Sequence, residues 1–423
     1  QPRQGFRAGL DAVLLAAFVP ARPGEAVLEA GSGSGAAFLC LGARVPGLGI
    51  RAVEREPAMA ALARDNAARA GLGAQIEQGD VADLALARRL GPVAHGFANP
   101  PYWPGGTPPP GAIRRAATLR KDILKLDENT DAYRVVNADA DFLSGLIVDR
   151  LGDVLSIEVS SYAVMRRLPR WIPILHDAVG TKREIVQVDP HVARIEGIMP
   201  TDVPKSSVRF VKIKEFGMIQ EVDFAEGHKT GFFCDQRDNR RRFGALAKGL
   251  KVLDLCCYSG GFSIAAKLAG ATEVTGVDLD EKAIEMAKRN MNLNNVRIDF
   301  VHSDAFTWIR QMQKNGKTWD LVLCDPPKFV DSRDEEFEAE GLKKYNDLNV
   351  LAMQLVAPGG LFVTCSCSGL VSPESFEDLV SKAAHRYQKR LQIFDRTGPG
   401  GDHPNASNHP EGRYLKVLWS RIA

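Results

Sequence analysis

The sequence lacks the features that mark secreted, membrane-spanning or strongly basic proteins. Its seven cysteines are an odd number without a Cys-x-x-Cys pair, which fits neither a disulfide framework nor a zinc site and favours a reducing cytoplasm. No apolar run approaches the roughly 18 residues that predict a membrane span. Lys and Arg number 54 against 52 Asp and Glu, a net charge of +2, so an RNA partner would have to be recognised through local basic patches.

What the sequence does contain is a set of patterns that divides its 423 residues into four parts. Strands that alternate with helix-length segments predict a parallel α/β sheet in residues 217–423 and a shorter version of the same plan in residues 1–110. A Pro- and Gly-rich linker and a helix occupy residues 111–128. Short strands and turn signals predict a small α+β intermediate domain in residues 129–216.

The second sheet is organised around the stretch Val252–Ala266, which reads as a strand, a turn carrying Gly260 and Gly261, and an apolar helix. Four further strands follow, each beyond a helix-length segment. In parallel sheets of this kind, ligands bind at the carboxyl ends of the strands. The four segments are Val274–Asp280, Phe300–Asp304, Leu321–Phe329 and Leu361–Ser368.

The acids at these strand ends predict a site for a single nucleoside. Asp278 follows the glycines by about 20 residues, a spacing that suits a carboxylate on a ribose diol. Asp304 is placed for an adenine amine or for a nearby loop. The turn reads DLCCYSGGF rather than GxGxxG and no second nucleotide half follows, so S-adenosylmethionine fits better than a dinucleotide. The predicted cofactor-binding residues are Asp254, Tyr258, Gly260, Gly261, Asp278, Asp304 and Gln236, and no metal site is predicted.

Two further residues predict chemistry on a pyrimidine ring. Asp325 precedes two prolines, which stiffen the turn and hold a carboxyl group at the rim, although a DPP turn can also simply end a strand. Cys367 follows the fifth strand in TCSCSG, where a cysteine is in general more often a small buried residue than a nucleophile. A thiolate beside a methyl sulfonium is needed to methylate a pyrimidine carbon, because its addition to carbon 6 makes carbon 5 nucleophilic.

Basic residues near the second sheet leave two interpretations open. In Glu226–Phe243, a hairpin either closes the sheet or places Lys229, Arg237 and Arg240 where they can bind RNA phosphates. In Ala112–Leu126, an amphipathic helix is expected to keep its arginines and lysine in solvent.

The first segment resembles bacterial tRNA adenine-N6 methyltransferases. These share its N-terminal GFRxxxDAVLLAAF-like motif and its Asn-Pro-Pro-Tyr motif, here Asn99–Tyr102. Gly31, Gly33 and Gly35 would let a nucleoside approach the backbone, with Glu54 on the ribose and Asp80 on the adenine edge. After Trp103 no further strand is predicted. We therefore expect an inactive fragment, and adenine-N6 methylation is the alternative.

Residues from about 114 to 423 resemble the bacterial 23S rRNA 5-methylcytosine methyltransferase I family. The resemblance rests on GHKTGFFCDQRDNR, YSGGF, DPPKFV, SCSG and DHPxxxxxPEGRYLK. It implies a class I S-adenosylmethionine-dependent methyltransferase with a Rossmann-like seven-stranded sheet. It also implies that Cys367 is the nucleophile and that Asp325 is the acidic residue that contacts the nucleobase. Asp278 and Asp304 are implied to be the carboxylates that bind the cofactor. Cys365 is expected to be a packing residue.

The chain departs from this family at its front, where the family's RNA-binding PUA domain is replaced by the adenine-methyltransferase-like segment. The expected function is cytosine-5 methylation of RNA, with 23S rRNA as the partner. The remaining alternative is a non-catalytic RNA-binding protein.

Overall fold

A computed structural model of the chain describes residues 10–81, 83–98, 110–224, 231–407 and 412–423. The chain divides into two compact units, residues 1–108 and 109–423, and each is described by itself. No helix within the described ranges combines the length and apolarity that crossing a bilayer requires.

The first unit contains a parallel sheet of four strands in the order β3-β2-β1-β4. Its core is built from small and aliphatic side chains such as Val27, Leu41 and Ala52, which are fully buried. The elements are α1 Leu10–Phe18, β1 Ala26–Ala30, α2 Ala36–Arg44, β2 Gly49–Glu54, α3 Pro57–Arg69, β3 Ala74–Gln78, α4 Leu84–Leu90 and β4 His95–Ala98.

The second unit begins with a helix and a four-stranded sheet in the order β5-β6-β7-β8, in which only the β7–β8 pair is parallel. A two-stranded antiparallel hairpin, β9–β10, follows. The elements are α5 Pro110–Thr118, β5 Ala132–Asn137, β6 Leu146–Leu151, β7 Val154–Val159, α6 Tyr162–Met165, α7 Leu168–Val179, β8 Arg183–Gln187, α8 Pro190–Glu196, β9 Phe210–Glu215 and β10 Met218–Asp223.

The predicted linker ends earlier than expected, because α5 already begins at Pro110 and continues as a π-helical turn over Leu119–Ile123. The expectation that the basic side chains of this helix are solvated is wrong for Arg120, which is fully buried. Its guanidinium donates to Asp141 and to the carbonyls of Ala116, Arg134 and Asp402, which satisfies all its N–H groups. A buried guanidinium is tolerated only with such pairing.

The rest of the second unit is a seven-stranded sheet in the order β13-β12-β11-β14-β15-β17-β16, with β17 antiparallel to both of its neighbours. The predicted α/β fold and seven-stranded sheet are confirmed. The elements are α9 Arg237–Leu246, β11 Lys251–Leu255, α10 Gly261–Leu268, β12 Glu273–Asp278, α11 Glu281–Leu293, β13 Asp299–His302, α12 Ala305–Lys314, β14 Trp319–Cys324, α13 Glu335–Met353, β15 Val356–Ser366, α14 Pro373–Arg386, β16 Leu391–Thr397 and β17 Lys416–Ile422.

Both faces of this sheet are covered, as the apolar composition of its central strands predicts. Along β14, Val322 and Cys324 belong to one hydrophobic cluster, whereas Leu321 and Leu323 belong to the cluster on the opposite face. The alternation follows from the two-residue period of a strand. The sheet is therefore a rigid core, and the loops beyond its strand ends are free to carry a site.

Candidate functional site

A cavity of about 350 Å³ lies where the parallel strands β11, β12, β14 and β15 end. We call the part near the ends of β11, β12 and β13 the donor end, and the part beyond β14 and β15 the acceptor end. The donor end includes Tyr258, Ser259, Gly261, Asp278, Leu279, Asp280, Asp304 and Phe306; the acceptor end includes Asp235, Gln236, Asp325, Pro326, Pro327, Phe329, Cys367 and Tyr414.

At the donor end, the carboxylate of Asp278 fixes the glycine-rich loop. Its Oδ2 accepts a hydrogen bond of 2.8 Å from the backbone N–H of Tyr258, and its Oδ1 accepts one of 2.9 Å from that of Asp280. Tyr258 has a φ of 46°, in the left-handed region. Because each carboxylate oxygen has two lone pairs, Asp278 can hold the loop and still accept from a ligand hydroxyl.

Two predicted cofactor residues, Asp254 and Gly260, lie beneath this loop and do not line the cavity. Asp254 is fully buried, and its Oδ2 accepts from the backbone N–H and the hydroxyl of Ser263 at 3.0 and 2.7 Å. Gly260 has a φ of 80°, and a Cβ there would lie 2.7 Å from the ring of Phe300. Both residues position the loop, and their role as direct cofactor contacts stays a prediction.

Asp304 lines the donor end and also caps the helix that follows it. Its Oδ1 accepts hydrogen bonds from the backbone N–H and the hydroxyl of Thr307 at 2.9 and 2.8 Å. N-cap side chains of this type fix where a helix starts. The capping bond therefore fixes the carboxyl group beside the cavity.

At the acceptor end, Asp325 is held by Gln236. The Nε2 of Gln236 donates to Asp325 Oδ2 at 3.0 Å, and its Oε1 accepts from Asn239 Nδ2 at 2.7 Å, which fixes the orientation of the amide. Burial, together with the neighbouring charges of Asp235 and Asp254, raises the pKa of Asp325 to about 7. At neutral pH this group is therefore partly in its neutral form, which can donate a hydrogen bond.

Cys367 lines the acceptor end together with Asp325, as predicted from the order of their strands, whereas Cys365 is fully buried. Burial and the charge of Asp325 raise the pKa of Cys365 well above its usual value, so this thiol stays protonated. Of the two cysteines in TCSCSG, only Cys367 reaches the cavity.

Lys416 is a buried ammonium group next to the Cys367 loop that sequence reasoning did not single out. Its Nζ donates to the carbonyls of Ser368, Val371 and Tyr414, so all three of its N–H groups are used. Burial lowers the pKa of Lys416 to about 8, while the charge of Cys367 acts in the opposite direction. A neighbouring ammonium group in general favours a thiolate, and we expect Lys416 to act in this way on Cys367.

The structure contradicts direct RNA binding by Arg237 and Arg240. Arg237 is 1% exposed and donates to both carboxylate oxygens of Asp402 at 2.8 and 3.0 Å. Arg240 is 4% exposed and likewise forms a bidentate ion pair with Glu215, with hydrogen bonds of 2.7 and 2.6 Å. Carboxylates occupy both guanidinium groups, so neither group is presented to a phosphate. Lys229 lies outside the described residues.

The cavity residues that the sequence analysis missed include Tyr414, Asp235 and Gln220. Tyr414 donates from its hydroxyl to Asp235 Oδ2 at 2.7 Å. The other oxygen, Asp235 Oδ1, is buried and has no hydrogen-bond partner in the described part of the chain, and neither side-chain atom of Gln220 has one. Asp235 and Tyr414 lie within quoted motifs, but Gln220 sits in an ordinary alternating strand that gives no signal.

The first unit repeats the donor-end geometry in part. Glu54 at the end of β2 accepts from the backbone N–H groups of Gly33 and Glu56 at 2.7 and 2.8 Å, as Asp278 does for its own loop. Glu29 accepts from the N–H of Phe38, as Asp254 does from Ser263. The Asn99–Tyr102 motif lies outside the described residues.

The polar side chains that line the cavity carry carboxyl, amide, phenol, hydroxyl, thiol and guanidinium groups. Over the ranges that the structure describes, no group of three or more His, Cys, Asp or Glu residues is arranged to hold a metal ion.

Comparison with known proteins relates this site to methyltransferases. A family model of S-adenosylmethionine-dependent methyltransferases matches residues 203–407. A ribosomal RNA large subunit methyltransferase I from Erwinia tasmaniensis is 34% identical over 323 residues, covering 73% of this chain and 80% of that protein. The protein of that name from Tolumonas auensis is 37% identical over 314 residues, covering 72% and 78%.

Among solved structures, the chain resembles SMU.776, a protein crystallised in complex with SAH. The TM-score is 0.62 at 20% identity, and the match covers 74% of this chain and 82% of that one. A likeness at this identity concerns the fold.

The coupling between Lys416 and Cys367 can be tested by alkylation. We expect Lys416→Met to slow modification of Cys367 by iodoacetamide at pH 7 by about 3- to 30-fold, because the thiolate is the reactive form and loses its neighbouring charge. Peptide mass spectrometry reports the rate at Cys367 alone. Lys416→Arg should stay near the wild-type rate, and Lys314→Met, at an exposed position, is the matched control. A folded Lys416→Met protein that alkylates at the wild-type rate would contradict the coupling.

Proposed function

The chain belongs to the ribosomal RNA large subunit methyltransferase I family and uses S-adenosylmethionine, and we propose that it methylates carbon 5 of a cytosine in large-subunit rRNA. The observation that carries the proposal is the shared cavity, in which Cys367 and Asp325 face the predicted cofactor residues Asp278 and Asp304. A methylated amine would need no thiol at this place, whereas a methylated pyrimidine carbon does.

The donor end fits the nucleoside part of the cofactor. Asp278 offers carboxylate lone pairs beside a loop whose backbone it fixes, and Tyr258 and Phe306 offer faces for an adenine ring. When bound, S-adenosylmethionine supplies a methyl group on a sulfonium. Tyr258, Gly261 and Asp278 hold the donor, and the chemistry on the base falls to the acceptor end.

At the acceptor end, the thiolate of Cys367 adds to carbon 6 of the cytosine, and the displaced electron pair moves towards N3. Asp325 in its neutral form donates a hydrogen bond to N3, which stabilises that charge. Carbon 5 is then an enamine carbon that takes the methyl group. Loss of the carbon-5 proton to a base re-forms the double bond as the carbon–sulfur bond breaks and the thiolate leaves.

The walls of the acceptor end restrict how a base can enter. Phe329 packs edge-to-face on the buried ring of Tyr345 at a centroid distance of 5.0 Å, and Pro326 and Pro327 stiffen the turn. A base within a duplex cannot reach such a cavity, so the target is single-stranded or is flipped out of its stack.

Two parts of the proposal rest on sequence patterns. Lys229 is proposed to contact RNA phosphate, since Arg237 and Arg240 are committed to carboxylates. The division into a small α+β domain, residues 129–216, and a catalytic domain, residues 217–423, is likewise a proposal.

The reaction is tested by digesting methyl-labelled rRNA to nucleosides after incubation with the protein and labelled cofactor. We expect label in 5-methylcytidine and its loss, by at least about 10³-fold, in Cys367→Ala, because the adduct cannot form. Cys365→Ala is the matched control and should retain transfer. Binding of S-adenosylhomocysteine should survive in both variants. Label in N6-methyladenosine would instead favour a reaction in the first unit, and wild-type turnover by Cys367→Ala would refute the nucleophile.

The role of Asp325 predicts a dependence on pH. Because the neutral carboxyl group is the donor and its pKa is about 7, the contribution of Asp325 to kcat/KM is present below pH 7 and lost as the pH rises through this value. Asp325→Asn keeps an N–H donor at every pH, so we expect a rate lower by about 10²-fold without this decline.

Asp320→Asn is the matched control for the pH profile. Asp320 lies on β14, the strand that Asp325 follows, and accepts from the backbone N–H of Lys251 at 2.8 Å. Its variant should keep the wild-type shape of the profile. An Asp325→Asn profile with the wild-type decline would show that another group titrates.

A further inference from the structure

Gln220 occupies a fixed position on the hairpin strand β10, Met218–Asp223. Two asparagines at the end of helix α11 bind the backbone N–H groups on either side of Gln220: that of Ile219 donates at 2.9 Å to Oδ1 of Asn294, which follows the helix, and that of Glu221 donates at 2.7 Å to Oδ1 of Asn290. These bonds hold the strand against the sheet domain. The side chain of Gln220 is thereby directed to one place, where it lines the donor end of the cavity.

The amide of Gln220 is buried but has no hydrogen-bond partner. The residue is 1% exposed, and neither Oε1 nor Nε2 bonds to any atom of the described residues. Buried polar groups are paired in the great majority of cases, because an unpaired buried donor or acceptor loses its bonds to water without replacement. Such an amide beside a cavity indicates a ligand that completes its bonds.

The surroundings of Gln220 specify the charge of that ligand. Its Oε1 lies 3.5 Å from where a Cβ on Gly261 would be, so the amide borders the first turn of helix α10, Gly261–Leu268. A helix N-terminus presents N–H groups and a partial positive charge, which favours a carboxylate. The nearby Arg240 also lines the cavity, but three of its N–H groups already donate to Glu215 and to the carbonyl of Phe233.

We propose that Gln220 binds the amino-acid end of the methyl donor, with Nε2 donating to its α-carboxylate and Oε1 accepting from its α-ammonium group. An amide carries both a donor and an acceptor and so matches a group that has both charges. The proposal places the amino-acid tail beside α10 and Gln220, with the ribose at Asp278. It concerns the bound donor and is independent of which base is methylated.

The proposal is tested by calorimetric binding of two ligands to the full chain. S-Adenosylhomocysteine has the amino-acid tail, whereas 5′-methylthioadenosine has the same purine, ribose and sulfur without it. Gln220→Met keeps the size of the side chain and removes its hydrogen bonds. We expect this variant to bind S-adenosylhomocysteine about 10- to 100-fold more weakly, and 5′-methylthioadenosine with wild-type affinity, because only the first ligand has the partner groups.

Two further variants make the test specific. Gln392→Met makes the same chemical change at an exposed position on β16 and should leave both affinities unchanged. Gln220→Leu also removes both hydrogen-bonding groups and should weaken only S-adenosylhomocysteine, which keeps the proposal testable if the methionine variant does not fold. Wild-type affinity for S-adenosylhomocysteine in a folded Gln220 variant, or an equal loss for both ligands, would overturn the proposal.

Discussion

The second unit depends on one buried carboxylate, that of Asp402. It is fully buried, and its two oxygens accept hydrogen bonds from the guanidinium of Arg237 and from the backbone N–H of Arg134. Its carbonyl accepts from Arg120 at 2.6 Å. Burial alone would raise the pKa of Asp402, but the charges of His403 and Arg237 hold this pKa well below its usual range. A buried charge is stable only while all these partners stay in place.

The contacts of Asp402 determine the geometry of the acceptor end. Arg237 is the first residue of α9, and Asp235 and Gln236 immediately precede it. When Asp402 fixes Arg237, it also fixes the amide of Gln236 that holds Asp325. The motifs GHKTGFFCDQRDNR and DHPxxxxxPEGRYLK, far apart in the chain, are therefore two sides of one structural contact. Of their described charged residues, Arg237 and Asp402 bind each other and so hold Gln236 beside Asp325.

A second constraint, on the loop that follows the first strand of each parallel sheet, is shared by both units and shapes the donor end. An acid at the end of the second strand binds backbone N–H groups of the loop after the first strand, through Asp278 in one unit and Glu54 in the other. The loops are thus shaped before any ligand arrives. Such preorganisation lowers the cost of binding. The acids that sequence patterns assign to ligands are also the residues that build the loops.

Sequence periodicity was sufficient to predict the parallel sheet and to place Asp278, Asp325 and Cys367 at neighbouring strand ends. These predictions need only local sequence, because side chains in a strand alternate every two residues and ligands of parallel sheets bind at the carboxyl ends of the strands. It could not predict that Arg237 is buried. Its partner Asp402 is 165 positions away, and an arginine on a helix surface has the same local pattern. Gln220 carries no signal at all, since an unpaired amide is recognised only from its surroundings.

The central claim is that Cys367 bonds to the base during transfer. It is tested most directly with rRNA that carries 5-fluorocytidine, because fluorine cannot leave carbon 5 as a proton does and the adduct persists after methyl transfer. The account predicts a protein–RNA complex that survives denaturation, requires S-adenosylmethionine and maps by peptide mass spectrometry to Cys367. The absence of such a complex, or a bond to another cysteine such as Cys256, would contradict it.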